Sequence, residues 1–291
     1  MADGWWYTAL VHDTLTLLAV HAHPDDEVIC MGGTFARYAA EGLHTALVCC
    51  TRGEEGRILD PTLDPAEARP RLGAIREGEL RAACRILGIA KLHMLGYHDS
   101  GLPANANPHN LGHADPAEAA ERLAALVRAL RPHVVVTYDE HGGYGHPDHT
   151  MAHRITHLAI ERAVHGGAGG PGWEVLKLYY TAFPRSVLRW VDEQMQARGL
   201  RSPFREDTLA LDIRQGVAPD EFITARVDVR RYQEQVRRAL RAHRTQIRAD
   251  DLLLALPREI AAEAFAVDHY IRAYTRVPAP DQEMDLFAGL R

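Results

Sequence analysis

The sequence predicts an α/β protein: a mainly parallel sheet with helices on both faces, followed by a smaller α+β part towards the C-terminus. Three observations carry this. Short apolar runs alternate with segments of helical spacing through the first 165 residues, the pattern of successive βαβ units. One of these runs, Thr45 to Cys50, is almost continuously apolar, as a strand covered on both faces must be. The loops after the first four runs are the most polar of the chain and the richest in His, Asp and Glu. In such sheets ligands bind outside the carboxyl ends of the strands, so these four loops should converge on one rim.

Composition narrows the function. The chain has 291 residues, 46% of them hydrophobic and 25% charged, an ordinary balance for a globular protein with a sizeable core. A net charge of −6 gives no reason to expect nucleic acid or an anionic membrane as partner. The four cysteines, Cys30, Cys49, Cys50 and Cys84, form no Cys-x-x-Cys pair and read as buried reduced thiols of a cytoplasmic protein. No basic segment precedes an apolar stretch at the N-terminus, so no signal peptide is expected. No apolar run approaches the roughly 20 residues of a membrane-spanning helix. A homo-oligomer stays open.

Met1 to Asp13 reads as an irregular lead-in and Leu15 to Val20 as the first strand. The turn His23-Pro24-Asp25-Asp26-Glu27 follows, then a helix from about Thr34 through Phe35, Tyr38 and Ala39 to Gly42. Strand two, Thr45 to Cys50, leads into the glycine-bearing polar loop Thr51 to Arg57. Arg71 to Leu87 has Leu72, Ile75, Leu80, Ala83 and Leu87 on one helical stripe, with Gly88 as its stop. Strand three, Lys91 to Leu95, ends in the polar turn Tyr97 to Gly101, and Asn105 to His113 is a loop without periodicity. A helix from Pro116 to Leu130 precedes strand four, Val134 to Thr137. Then comes a second dense patch, His141 to His149, and a helix from about Thr150 to Val164.

Five glycines in the seven residues Gly166 to Gly172 mark a break. It divides a catalytic core, residues 1–165, from a C-terminal part, 173–291, that completes the fold and the substrate pocket. In that second part Leu176 to Thr181 and Phe222 to Val229 read as strands, and Val187 to Arg198 and the Arg-rich Tyr232 to Arg248 as helices. The negative total charge makes the Arg-rich helix a solvated face rather than a nucleic-acid surface.

The chemistry lies in the two patches. A catalytic zinc site typically takes three protein ligands and leaves one position for water. His23 and Asp26 lie three residues apart on one turn, and His149, at the start of the helix after strand four, is the best third ligand. Asp25 is then left beside the metal without being needed as a ligand, where a general base belongs. His146 is placed to donate to the oxyanion of a carbonyl substrate and to protonate the leaving amine. Glu27 competes with Asp26 as a ligand or serves as a helix-start carboxylate. Asp148 caps the next helix or orients a ligand His. His141 and His153 read as surface or supporting residues. Two His-Pro-Asp turns, each at a strand end, exceed what turn chemistry alone explains.

The motifs Ala22 to Glu27 (AHPDDE) and Gly142 to His149 (GGYGHPDH) resemble the two signatures of the LmbE-like, or PIG-L-like, zinc-dependent deacetylases. Within that family the chain most resembles the mycothiol-biosynthesis deacetylase and the mycothiol S-conjugate amidase. The likeness runs through Thr51 to Pro61, Tyr97 to Pro103, Arg131 to His149, Lys177 to Tyr180, Ala239 to Ile247 and Asp285 to Leu290, and the tail motifs favour the amidase branch. The resemblance implies a Rossmann-like core and one zinc per chain held by His23, Asp26 and His149. It also implies Asp25 as base, His146 as oxyanion stabiliser or acid, and Tyr144 as a mobile polar group near the scissile amide. Arg76 and Asp99 would hold sugar or inositol hydroxyls, with Glu54 by the acyl side. The amidase branch has a lysine three residues after the Glu of the first motif, where this chain has Cys30. The Asn105 to His113 loop also differs from both relatives.

The sequence thus predicts a zinc-dependent amide hydrolase that frees the amino group of a glucosamine-type conjugate. Release of a mercapturic acid is the amidase alternative. A non-catalytic metal- or sugar-binding module on the same fold is the rival of another class, and the uncommitted Asp25 argues against it. Phosphoester chemistry at a two-metal site would need more carboxylates at the rim.

Overall fold

β1 (Thr16–His21) is buried along its whole length, and its side chains divide between two cores. Leu17 and Ala19 join one apolar cluster, Leu18 and Val20 the other, because successive residues of a strand face opposite sides. The computed structural model describes residues 14–201, 216–248 and 250–291; the lead-in Met1 to Asp13 lies outside them. α1 (Asp26–Ala40), α2 (Leu72–Leu87) and α6 (Gln233–Ala242) close the first cluster, with Phe35, Tyr38, Leu80 and Ala239 at its centre. α3 (Pro116–Leu130) and α4 (Pro147–Ala163) close the second through Leu123, Val127, Ile155 and Ala159. The sheet is therefore covered on both faces, as the alternation of elements predicts.

β2 (His44–Thr51), β3 (Lys91–Tyr97), β4 (Val134–Thr137) and β5 (Lys177–Pro184) join β1 in parallel. With β7 (Ala225–Asp228) and β8 (Val267–Thr275) the strand order is β3-β2-β1-β4-β5-β8-β7, and β6 (Val217–Ala218) is paired to the end of β5. Ala19 pairs with Leu47 on one side and Val136 on the other. The order thus reverses between β1 and β4, the topological switch point at which such sheets bind ligands. The loops after these two strands are the two His-rich patches.

The C-terminal part extends the same sheet. β8 (Val267–Thr275) runs antiparallel to both β5 and β7 (Ala225–Asp228). Beyond β5, α5 (Arg185–Ala197) and α7 (Arg258–Ala264) pack in a small third cluster around Val191, Met195 and Ile260. The chain's end is tied back by a fully buried ion pair, Lys177 Nζ to Glu283 Oε1, with Tyr179 Oη donating to Glu283 Oε2 at 2.7 Å and Arg272 Nη1 at 3.1 Å.

Several elements differ from the sequence expectation. α1 begins at Asp26 rather than Thr34: its buried stripe of Val28, Met31, Phe35 and Tyr38 starts directly after the site carboxylates, no side chain caps it, and its geometry breaks at Met31. The Arg-rich helix ends at Ala242, and His243 to Ile247 form a turn instead. Phe222 to Val229 is a 3₁₀ turn, Asp220–Phe222, followed by β7 alone. β8 escapes the sequence reading: Asp268 and His269 interrupt its alternation, and it is only partly buried. No helix among the described residues is long and apolar enough to cross a membrane.

Candidate active site

The two patches meet at the carboxyl ends of β1 and β4. His23 Nδ1 and Asp26 Oδ2 are 3.5 Å apart, His149 Nε2 and Asp26 Oδ2 3.5 Å, and His149 Nε2 and His23 Nδ1 3.2 Å. Three ligand atoms about 2.0–2.2 Å from one tetrahedral centre lie about 3.3–3.6 Å from each other. The residues therefore fit a metal ion without rearrangement. His146 stands close enough to His23 and His149 to form a further His cluster, and His23, Asp99, His146 and Asp148 make another. The carboxylates of that last group are already engaged: Asp148 holds Ser100, and Asp99 accepts from the Gly101 amide at 2.8 Å.

Each ligand is oriented from behind. His23 Nε2 meets Asp148 Oδ2 at 3.1 Å, and Asp148 is itself fixed by the amide of Ser100 at 2.9 Å and by its hydroxyl. This is the carboxylate-to-histidine arrangement that fixes the tautomer of a metal ligand. Tyr138 donates its hydroxyl to Asp26 Oδ2 at 2.7 Å, accepts from the Ala22 amide at 2.8 Å, and stacks on His149 with ring centres 4.1 Å apart. Burial opposes a charge on His23, but Asp148, Asp26 and Asp99 outweigh it and raise its pKa well above the usual range. Burial, only partly offset by Asp26, pushes His149 down to about 3. The three carboxylates around His23 favour positive charge at this point, as a divalent cation held there would supply.

Asp25 sits at the N-cap position of α1 but makes no capping bond, with φ 113° and ψ −29°. For a residue with a Cβ such a backbone costs of order 1–3 kcal/mol. Its carboxylate is gripped by Arg76, Nη2 to Oδ2 at 3.1 Å. Burial raises the Asp25 pKa to about 6, with Arg76 opposing and Asp26 adding to the rise. Arg76 also donates to Pro24 O at 2.6 Å and Gly53 O at 2.7 Å. Gly53 has φ +66°, and a Cβ there would lie 2.0 Å from the guanidinium, which accounts for glycine in the polar loop after β2.

His146 caps α4: its Nδ1 accepts from the Asp148 amide at 3.2 Å. Nε2 therefore carries the proton of the neutral ring, and burial together with the neighbouring His23 keeps the ring neutral. Tyr144, on the helical turn Gly142–Gly145, presents its ring edge-on to His149 at 5.0 Å and His146 at 6.0 Å. Burial and the nearby Asp26 raise its pKa, so the phenol stays protonated.

The three residues expected to bind substrate form the next layer. Arg76 is 3% exposed and Asp99 4%. Asp99 Oδ1 lies 3.5 Å from His23 Nε2, and the Asp99 amide donates to Glu54 Oε2 at 3.1 Å. His141 is on the surface, and His153 bonds Tyr138 O at 3.0 Å. Cys30 is half-buried on α1, and the charge of Asp26 adds to burial in raising its thiol pKa. Two contributors are not legible as site residues in the sequence. Tyr138 directly follows β4, and only the β1–β4 pairing brings it over Asp26. His243, from the C-terminal part, reaches Glu27 Oε1 at 2.7 Å.

The family described as GlcNAc-PI de-N-acetylase, PIG-L, matches residues 18–160. A 1D-myo-inositol 2-acetamido-2-deoxy-alpha-D-glucopyranoside deacetylase of Geodermatophilus obscurus is 46% identical over 94% of this chain and 97% of its own length. The protein of the same name from Thermobifida fusca is 44% identical, over 94% and 98%. Among solved structures, N,N'-diacetylchitobiose deacetylase from Pyrococcus horikoshii superposes with a TM-score of 0.60 at 20% identity, covering 89% of this chain and 84% of that one, a likeness of fold.

Proposed function

The chain belongs to the PIG-L family, and we propose that it removes the acetyl group from the amino group of a glucosamine joined to inositol. The observation that carries this reading is the convergence of His23, Asp26 and His149, with the Asp25 carboxylate held by Arg76 rather than needed as a ligand, in a chain related over nearly its whole length to deacetylases of that substrate. His23, Asp26 and His149 would hold one zinc. Bound there, zinc supplies Lewis-acid polarisation of the amide carbonyl and of the attacking water.

The chain's own residues do the rest. Asp25 takes the proton of the water, and burial, which opposes a charge on its carboxyl, favours returning that proton within the same turnover. His146 donates its Nε2 hydrogen to the carbonyl oxygen as negative charge builds there. The Tyr144 hydroxyl offers a second donor. Arg76 is assigned to holding Asp25, since its guanidinium is buried among Asp25, Pro24 and Gly53. Asp99 and Glu54 are assigned to the sugar and acyl sides. The tail motifs taken alone favour the amidase branch; the whole-length relatives carry the deacetylase name. Four unpaired cysteines suit a reducing cytoplasm.

The test is release of acetate and free amine from N-acetylglucosaminyl-inositol, with and without a chelator and after zinc is restored. Turnover that is abolished by chelation and regained with zinc is expected. Equal turnover after the metal has been stripped, or binding of the sugar without hydrolysis, would overturn the reading.

A further inference from the structure

Among the described residues only Asp25 and Arg131 combine a side chain with a left-handed φ, and Arg131 merely ends a helix. Such a conformation persists only where the surroundings hold it. Asp25 is held on three sides. Arg76 grips its carboxylate, and its carbonyl accepts the amides of Val28 and Ile29, each at 3.0 Å. Its own amide donates to Glu27 Oε2 at 2.9 Å. The other oxygen, Oε1, meets His243 Nε2 at 2.7 Å, and both side chains are 0% exposed. Both oxygens of Glu27 are therefore engaged, and Glu27 belongs to none of the His/Asp/Glu clusters close enough to hold a metal among the described residues.

We propose that Glu27 and His243 are a positioning pair whose task is to lock the Asp25 amide, and with it the left-handed backbone that presents the Asp25 carboxylate. The inference rests on the reading of Asp25 as general base. His243 is delivered by a firm strut. The Thr245 amide and hydroxyl donate to Glu79 at 2.9 and 2.6 Å, and the Leu59 amide donates to Thr245 O at 2.9 Å. Arg244 Nη2 reaches Asp60 Oδ2 at 2.9 Å. The run His243 to Gln246 thus ties the C-terminal part to the base of the reaction without touching the metal ligands.

The test uses the zinc-loaded full chain carrying Glu27→Ala, Glu27→Gln, His243→Gln or Asp25→Asn, with kcat, KM, metal content and thermal midpoint measured for each. Glutamine at 27 still offers an acceptor to the Asp25 amide. Glu27→Ala is expected to lower kcat by about 100-fold with KM within about threefold and one metal per chain retained. Glu27→Gln should recover at least about tenfold of that loss, and the Glu27→Ala/His243→Gln double variant should be no worse than Glu27→Ala, as for residues acting as one unit. If Glu27→Ala does not fold, His243→Gln carries the test through the same fall in kcat at constant KM. Near-wild-type kcat in a folded, metal-replete Glu27→Ala or His243→Gln, a fall that tracks lost metal, or Glu27→Gln as poor as Glu27→Ala would each overturn the pair. Full activity in Asp25→Asn sinks the base assignment itself. An inactive Asp25→Asn beside normal Glu27 and His243 variants sinks the pair alone.

Discussion

The tripeptide His-Pro-Asp occurs twice, each time between a parallel strand and the start of a helix, and the two copies are put to different uses. In the first, His23 turns Nδ1 to Asp26 and His149, while Asp25 occupies the N-cap position without capping. In the second, His146 has ordinary extended backbone, φ −66° and ψ 131°, and caps its helix through Nδ1. Asp148 then turns away from its own helix and supports His23 across the sheet. The residue types at a strand end determine what chemistry is on offer. The backbone conformation and the identity of the capping group determine which residue performs it.

Substitutions that treat the copies as equivalent should break the comparison most sharply. His23→Ala, like His149→Ala, is expected to lose stoichiometric zinc and essentially all turnover. His146→Ala should keep one zinc per chain and lose about 10²–10³ in kcat, the worth of one oxyanion donor. Metal analysis beside kinetics decides it, and equal metal loss in both would make His146 a ligand.

The two aspartates come next. Asp25→Asn is expected to keep the metal and lose about 10²–10⁴ in kcat. Asp148→Asn should weaken metal affinity or activity by about 10–100-fold, the usual effect of an outer partner. Competition with a chromogenic chelator separates them, since only the second should shift the metal equilibrium.

A pH profile sharpens the contrast further. Asp25 acts as a base only when ionised, so kcat/KM should fall as the pH drops through its pKa. Burial sets that pKa at about 6, and a cation beside it draws it lower, so the acid limb should lie at or below about 6. A limb centred above 7 would assign the titration to another group.

The smallest effect concerns the acyl group. Cys30 is half-buried on α1 beside Asp26, and a thiol is a weak, neutral donor where a lysine would offer charge. Acetyl should be accepted at least as well as a bulky mercapturyl group. The ratio of kcat/KM for the two amides, in wild type and Cys30→Lys, measures it; a strong wild-type preference for mercapturyl would end the idea, and an unchanged ratio would leave Cys30 as packing.

Much of this was legible in the sequence wherever a short-range pattern carried the information. α3 reads correctly from Pro116 to Leu130 because Asp115 caps it and its apolar stripe is clean. The start of α1 does not, since its first turn serves the site, no side chain caps it, and its geometry breaks at Met31. His23, Asp26 and His149 could be brought together because they lie at strand ends whose convergence the fold class implies. Tyr138 and His243 could not. The first needs the β1–β4 pairing, and the second needs a contact 216 residues away in sequence. The helical spacing of Arg76 carries no sign of its burial, which depends on Gly53 and Gly56 leaving room for it beneath the loop.

The buried pair of Lys177 and Glu283 has a consequence for how the protein is made. The two residues are 106 positions apart, and both are sealed from water. Leu286 and Phe287 are 0% exposed in the same core as α1. Until the segment carrying Glu283 is in place the Lys177 ammonium stays in water, and docking that segment buries the charge and its partner together. Leaving a charge buried without its partner costs about 3–5 kcal/mol, a large share of the roughly 5–15 kcal/mol by which a domain is stable. A tail that lacked the Glu283 carboxylate would thus give up much of what it gains by covering the sheet.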